Sequence, residues 1–565
     1  MKKLIIQSTC FLVASLMTVM TVYADVYVKP NATGDGTGSS WENAISLSDA
    51  LLAAVSGDVL HLASGEYIPS ELITGGASDF DATFEIKANI TLVGGYPENP
   101  VASDEPSKDN PTIFNGEIAE GYNVYHVVAI TAPKEEDAKV TMINIGIKGG
   151  KTAASGTAIN VDGVNYVLTS GGAIIVGGAD LELLNCRVFD NIGGYHCPGL
   201  YAFNKSNIVL DNCVFENNIG SGNGASMWIA DSNITVSNSS FLNNKNGGVG
   251  AIQVITNTNA KFYHSTIANN ISGYDNATAS RNGSGIYVRD GSKVQVVNCT
   301  IEGNQANGNG AGIALHTSNV NTLLNEVEVI NSTIVNNKSV MLNNSTAGIF
   351  ALTAGCTVNV YNSIISGNTA VGSGNPNVGV TGASTITAKS SIVADKVLDA
   401  AAAEVAELSF DPETMLGALA DNGGDMLTVK LLLDEESNPA FTNGMEVSEL
   451  VALANTLVTP SLIDIVQYDQ IGNERDGRVM GALAIKTPPS GLVDAAQDDA
   501  IQVKVTQNGI EISSMLNDRI AIYNAIGQRV FHSIATSEST FVGNLLQKGN
   551  VYIVLVNDKS KKVLF

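Results

Sequence analysis

Asn185-Cys186-Arg187-Val188-Phe189-Asp190-Asn191 and Asn212-Cys213-Val214-Phe215-Glu216-Asn217-Asn218 are two copies of one motif. Each opens with Asn and a small residue, passes through a short apolar stretch and closes on Asn. Later copies run Asn238-Ser239 to Asn244, His264-Ser265 to Asn270, Asn298-Cys299 to Asn304, Asn331-Ser332 to Asn337 and Asn362-Ser363 to Asn368. The closing asparagines stand 27, 26, 26, 34, 33 and 31 residues apart. Such a period is too short for a self-sufficient domain and long enough for one coil of three short strands with turns.

Between the copies lies a second signature, a small-residue corner that leads into an apolar strand. It reads Gly171-Gly172-Ala173-Ile174, Gly199-Leu200-Tyr201, Gly250-Ala251-Ile252, Gly285-Ile286-Tyr287, Gly312-Ile313-Ala314 and Gly348-Ile349-Phe350. If coils stack at about 4.8 Å, like positions fall over one another. Leu183, Leu210, Val236, Phe262, Val296, Val329 and Val360 then form one inward row, and Leu181, Ile208, Ile234, Ala260, Val294, Val327 and Val358 a second. Asn185, Asn212, Asn238, Asn298, Asn331 and Asn362 are expected to pass amide hydrogen bonds from coil to coil. His264 stands in that ladder as a substituted rung.

The predicted fold class is all-β, a right-handed parallel β-helix followed by a small antiparallel β-sandwich. The pattern over roughly 140–400 resembles the β-helices of pectate-lyase-like proteins. Its Gly-Gly-Ala-Ile and Phe-x-x-Asn elements are similar to bacterial polymorphic outer-membrane repeats. The resemblance implies architecture and no particular activity.

Composition agrees with a solenoid. Gly numbers 56, only 15% of residues are charged and 6% are aromatic, and 565 residues exceed what one globular core usually holds. Lys2 and Lys3, an apolar stretch from Leu4 to Val22 and the small-residue site Val22-Tyr23-Ala24 predict a signal peptide over 1–24 and a secreted or outer-membrane surface protein. No later segment is long and apolar enough to span a membrane. The net charge of -25 disfavours nucleic acid and anionic lipid. Cys186, Cys197, Cys213, Cys299 and Cys356 lack CxxC spacing, so neither zinc nor a disulfide framework is expected and the thiols read as small core residues.

The flanks give the remaining domains: N-terminal cap and irregular coils over 25–140, the regular helix over 141–400, a C-terminal cap over 401–486, a linker over 487–500 and the sandwich over 501–565. Leu47, Leu51, Leu52 and Val55 at helical spacing predict a short helix that closes the first coil. Gly34-Asp35-Gly36-Thr37-Gly38 reads as a turn, and residues 26–68 resemble the opening of many bacterial surface β-helices. Leu416 to Gly424, Tyr468-Asp469-Gln470 and Arg475-Asp476-Gly477-Arg478 are similar to choice-of-anchor terminal segments, with Asp425 where such segments usually carry Pro. Asn524 to Val530, Gly549-Asn550-Val551-Tyr552 and Lys561-Lys562-Val563 resemble the C-terminal sorting domain of Bacteroidetes type IX cargo. That resemblance implies Gly527, Arg529, Gly549, Tyr552 and Lys562 as sorting-signal residues and the type IX export machinery as a partner.

A lyase of this fold needs a base beside a uronate, with Ca²⁺ or Arg on the carboxylate. The outward row Glu182, Val209, Thr235, Lys261, Gln295, Glu328 and Asn359 is mixed, with no cluster of carboxylates and no Arg pair. No cofactor or metal is expected, and calcium has no ligand set to support it. The enlarged coil between Asn270 and Asn304 supplies the best catalytic candidates, Arg281, Arg289, Asp290 and Lys293. A binding face has the better case: Tyr201, Met227, Gln253, Tyr287 and Phe350 are expected to point outward in one row, where rings can stack on sugars. The resulting expectation is a monomeric binding scaffold or adhesin for glycan or cell-surface ligands. The alternative is a lyase or hydrolase of acidic polysaccharide.

Overall fold

The computed structural model describes residues 24–484 and 502–564. Within these it omits 33, 136–137, 275–280, 319–322, 341–344, 354, 373–374, 395, 399–403, 434–435, 457–461, 476, 507–508, 515–518, 525–528, 536, 538, 544–545, 547–550 and 557–558. The expected signal peptide up to residue 23, the linker, Gly527 and Gly549 lie outside the described residues.

A regular coil takes four straight runs, not three. Asp180–Leu184, Asn207–Asp211, Asn233–Ser237, Asn259–Tyr263, Lys293–Val297, Glu326–Ile330 and Thr357–Tyr361 pair in parallel as sheet 1. Two residues turn each strand into sheet 2, which holds Arg187–Phe189, Val214–Glu216, Ser240–Leu242 and their successors. Sheet 3 is built of two-residue strands such as Ile192–Gly193 and Ile219–Gly220, too short to be marked by alternation in the sequence. Sheet 4 holds Ile174–Gly177, Leu200–Phe203, Met227–Ala230, Ile252–Ile255, Ile286–Arg289, Ile313–His316 and Ile349–Ala351. Apart from two antiparallel strands that end sheet 2, Lys396–Leu398 and Glu404–Ser409, every link within these sheets is a crossover between parallel neighbours, the winding of a right-handed parallel β-helix. Sheet 1 begins with Asp25–Val28 and ends with Thr385–Lys389, so the ladder also takes in the irregular first coils.

The two inward rows are buried throughout and join sheet 4's Leu200, Met227, Ile252, Ile286 and Ile313 in one core. Phe262 and Val236 are fully enclosed. The helix Leu47–Ala53 closes the first coil, with Leu47 and Leu51 in the core and Leu52 and Val55 exposed. The Ser46 hydroxyl caps it by accepting from the Asp49 amide.

The asparagine ladder runs through different residues from those expected. Asn185, Asn212, Asn238, Asn298, Asn331 and Asn362 sit at the sheet 1–sheet 2 corner with φ between 48° and 54°. Their task is the left-handed backbone that Asn tolerates. Asn212 donates to Asn185 and Asn362 to Asn331 as expected, but Asn238 donates to Asp211, Asn298 to the Ile465 carbonyl and Asn331 to the Val466 carbonyl, so the row is not continuous. The continuous ladder is made by the closing residues. Asn191, Asn218, Asn244, Asn270, Asn304, Asn337 and Asn368 each donate Nδ2–H to the amide oxygen of the next, at 2.8–3.0 Å, ending on Asn377. Each backbone N–H from Asn191 to Asn368 also donates to that same oxygen. All seven are buried, so the row satisfies a turn that water does not reach.

Residues 410–484 do not stack on the last coil alone; they run back along its side. Phe410, Leu416, Val429, Phe441, Val479 and Met480 pack on the outward Val335 and Ile364 of sheet 2. Gln470 donates to the Thr266 hydroxyl and accepts from Thr300. The buried Arg475 donates to Asn298 and to the Tyr468, Val479 and Gly481 carbonyls. The rung His264 donates Nδ1–H to the Asp469 carbonyl of this segment. The helices Val447–Thr456 and Leu462–Val466 lie on Tyr263, Val297 and Ile330 of sheet 1. The C-terminal unit has two antiparallel sheets of three and four strands around Ile510, Ile512, Ile520, Ile522, Tyr552 and Val554. Arg529 begins one of its strands and Lys562 lies in the last.

Candidate ligand-binding faces

Sheet 4 turns alternate residues outward, and its register decides which. Leu200 pairs with Met227 and Tyr201 with Trp228, so Met227 is an inward core residue and Trp228 occupies the position expected for it. The outward row is Tyr201, Trp228, Gln253, Tyr287, Ala314 and Phe350. Phe350 lies in strict register. The row is not uniformly open: Gln253, Tyr287 and Phe350 are buried, whereas Tyr201 and Trp228 are half-exposed. Corner glycines explain part of the cover. Gly250 has φ 61°, and a Cβ there would lie 2.7 Å from Tyr287 Cβ, so only Gly lets the corner lie against the ring.

What remains accessible is an aromatic platform. Tyr201 stacks on Phe203 with ring centres 5.0 Å apart and meets Trp228 edge-on at 5.6 Å. His196 meets the far side of Trp228 at 4.9 Å, and the exposed Tyr195 lies over His196 at 3.8 Å. Burial lowers the His196 imidazole to about 4, so it is neutral, and Nδ1 accepts from the Asn223 amide at 3.2 Å. Burial likewise pushes the Tyr201 phenol up to about 12. Trp228 Nε1 is buried with no acceptor. Neutral and apolar, with Tyr201 and Phe203 near-parallel, this surface suits stacking against a sugar ring and offers no acid or base. The hairpin Ala158–Val161/Val164–Val167 borders it through Tyr166, whose ring lies 5.8 Å from Phe203.

The enlarged coil does not assemble its charged residues. Arg281 lies before the sheet 4 strand Ile286–Arg289, Arg289 ends that strand, Asp290 follows it, and Lys293 opens the next strand of sheet 1. Arg289 pairs with Asp290 at 3.0 Å and Lys293 with Glu326 at 3.1 Å. These four therefore form two separate surface pairs and a lone arginine, without a shared centre. The five cysteines are buried and free; burial raises the Cys186 and Cys299 thiols to about 12. Among the described residues no group of His, Cys, Asp and Glu could hold a metal ion.

A second concavity lies on sheet 1. The outward row expected from the sequence holds its register, and Thr235, Lys261, Gln295 and Glu328 floor a groove of about 470 Å³. Each strand has outward positions at its first, third and fifth residues. The helical pair covers the fifth position and leaves the first and third open.

No family model matches the chain, and no curated protein matches it. Among solved structures it is similar to pectate lyase Pel9A, at 12% identity and a TM-score of 0.35, over 86% of this chain and 94% of that one. It is also similar to XylC in complex with xylose, at 10% identity and a TM-score of 0.31, over 94% of this chain and all of that one. Likenesses this distant carry no argument; the fold rests on the parallel sheets themselves.

Proposed function

We propose that the protein is a secreted or cell-surface β-helix that binds glycan through the platform of Tyr195, His196, Tyr201, Phe203 and Trp228. The supporting observation is that ring contacts continue from coil to coil, Tyr201 and His196 meeting Trp228 edge-on, while His196 and Tyr201 are neutral. A sugar's apolar face would lie on Tyr201 and Trp228, and a hydroxyl can accept from Trp228 Nε1 if the ring shifts to admit it. The leader-like first 24 residues and the motifs around Arg529, Tyr552 and Lys562 support export by a type IX machinery. The lyase or hydrolase reading is not carried forward, because its candidate residues are dispersed.

A glycan array with the full chain tests the reading. Binding to defined glycans that is lost in Trp228→Ala and Tyr201→Ala, with no new unsaturated or reducing ends, is expected. Undiminished binding in both variants would remove the platform from the mechanism.

A further inference from the structure

We propose that the sheet 1 groove is a second site, separate from the aromatic platform, which takes a short peptide by its two charged termini. Lys261 would hold the carboxylate and Glu328 the ammonium group. Four observations converge on this chemistry.

Lys261 has no ion-pair or hydrogen-bond partner among the described residues, although the chain carries 55 acidic residues against 30 basic ones. Its neighbour Lys293 is already paired with Glu326, so the free ammonium in the groove belongs to Lys261. At the other end Glu328 is buried and held through Oε2 by the Gln295 amide at 2.7 Å, with no ion-pair partner among the described residues. Burial raises its carboxyl above the usual range, a desolvation that an incoming ammonium group would offset.

Spacing selects the ligand. Lys261 pairs with Gln295 and Gln295 with Glu328, so the two residues stand two strand spacings apart along the sheet, about 10 Å. A fully extended tripeptide spans about 10 Å. A free amino acid is too short to meet both charges at once, and a long chain places only one terminus in the groove. Gln295 lies midway and can serve the peptide groups, as can the exposed amide of Asn259 on the groove wall.

Isothermal titration of the full chain with triglycine, N-acetyl-triglycine and triglycine amide tests the assignment without depending on a variant's folding. Triglycine is expected to bind, and removal of either terminal charge should weaken binding by about tenfold or more. Lys261→Met should abolish the penalty for the amide, and Glu328→Gln the penalty for acetylation. Trp228→Ala should leave triglycine binding unchanged, which separates this site from the glycan face. Failure of triglycine to bind at millimolar concentration would overturn the proposal, as would equal binding of the blocked peptides.

Discussion

Replacing Asn244 by Ala should damage the helix far more than replacing its neighbour Asn243, although the two are adjacent and identical. Asn244 is fully buried; its Oδ1 accepts from the Asn218 backbone N–H at 3.1 Å and from Asn218 Nδ2 at 3.0 Å. Its Nδ2 donates to the Phe215 carbonyl at 2.9 Å and to Asn270 at 3.0 Å. Truncation leaves the Asn218 N–H and the Phe215 carbonyl without these partners in a place water does not reach. At about 1–3 kcal/mol for each orphaned group, the cost is about 3–5 kcal/mol. Asn243 instead holds a left-handed corner with φ 56°, so Asn243→Gly should change stability by only a few tenths of a kcal/mol. Urea denaturation gives the magnitudes. Hydrogen exchange gives the location, because coils contact only their neighbours and the loss should centre on Val214–Glu216, Ser240–Leu242 and Thr266–Ala268. A cost below 1 kcal/mol for Asn244→Ala would refute the view that this ladder holds the turns.

Phe262→Ala empties a fully enclosed position and should cost about 3–5 kcal/mol by the same denaturation. Arg475→Met strips the Tyr468, Val479 and Gly481 carbonyls of their donor, and limited proteolysis should then cut residues 410–484 faster while the coil persists. Burial holds the His126 imidazole near 4, below its ordinary 6.5, so the unfolded chain takes the proton first. Its contribution is present above about pH 6.5 and lost as pH falls toward 4; His126→Asn should flatten the stability profile in that window, and an unchanged slope would contradict it. The five buried thiols should ignore an aromatic disulfide reagent at pH 8 in the native protein and react only on unfolding.

Alternation made sheet 1 legible: a strand with one face in the core must place Leu210, Val236 and Phe262 inward, and their partners follow at the period. Sheet 3 was not legible, since two residues cannot display an alternation. Two asparagine rows share one period, so spacing alone could not say which is buried; only the coil's cross-section places Asn191 inside and Asn212 at a corner. Trp228 was missed for a local reason. Ser226 stands where Gly199 and Gly285 mark the strand start, and without that signal Met227 was assigned outward. The 27-residue step from Leu200 would have placed Met227 inward and exposed the tryptophan.

A uniform solenoid offers the same chemistry at every rung, so a site has to be made where the repeat is interrupted. Trp228 stays accessible because the hairpin of residues 158–167 packs on Tyr201 and Phe203 and ends there, leaving the next coil beyond its cover. The sheet 1 groove has the same origin. The helices 447–456 and 462–466 bury the fifth outward position of successive strands and so stand beside the third, where Lys261 and Glu328 line the groove. Loss of the helical pair should therefore abolish peptide capture while leaving both charges in place. Substituting Leu450 and Leu462 by Asp, which drives the helices off Val297 and Ile330, is the variant that separates groove shape from groove charge. If triglycine still bound with the helices displaced, charge spacing alone would define the site and the wall would contribute nothing.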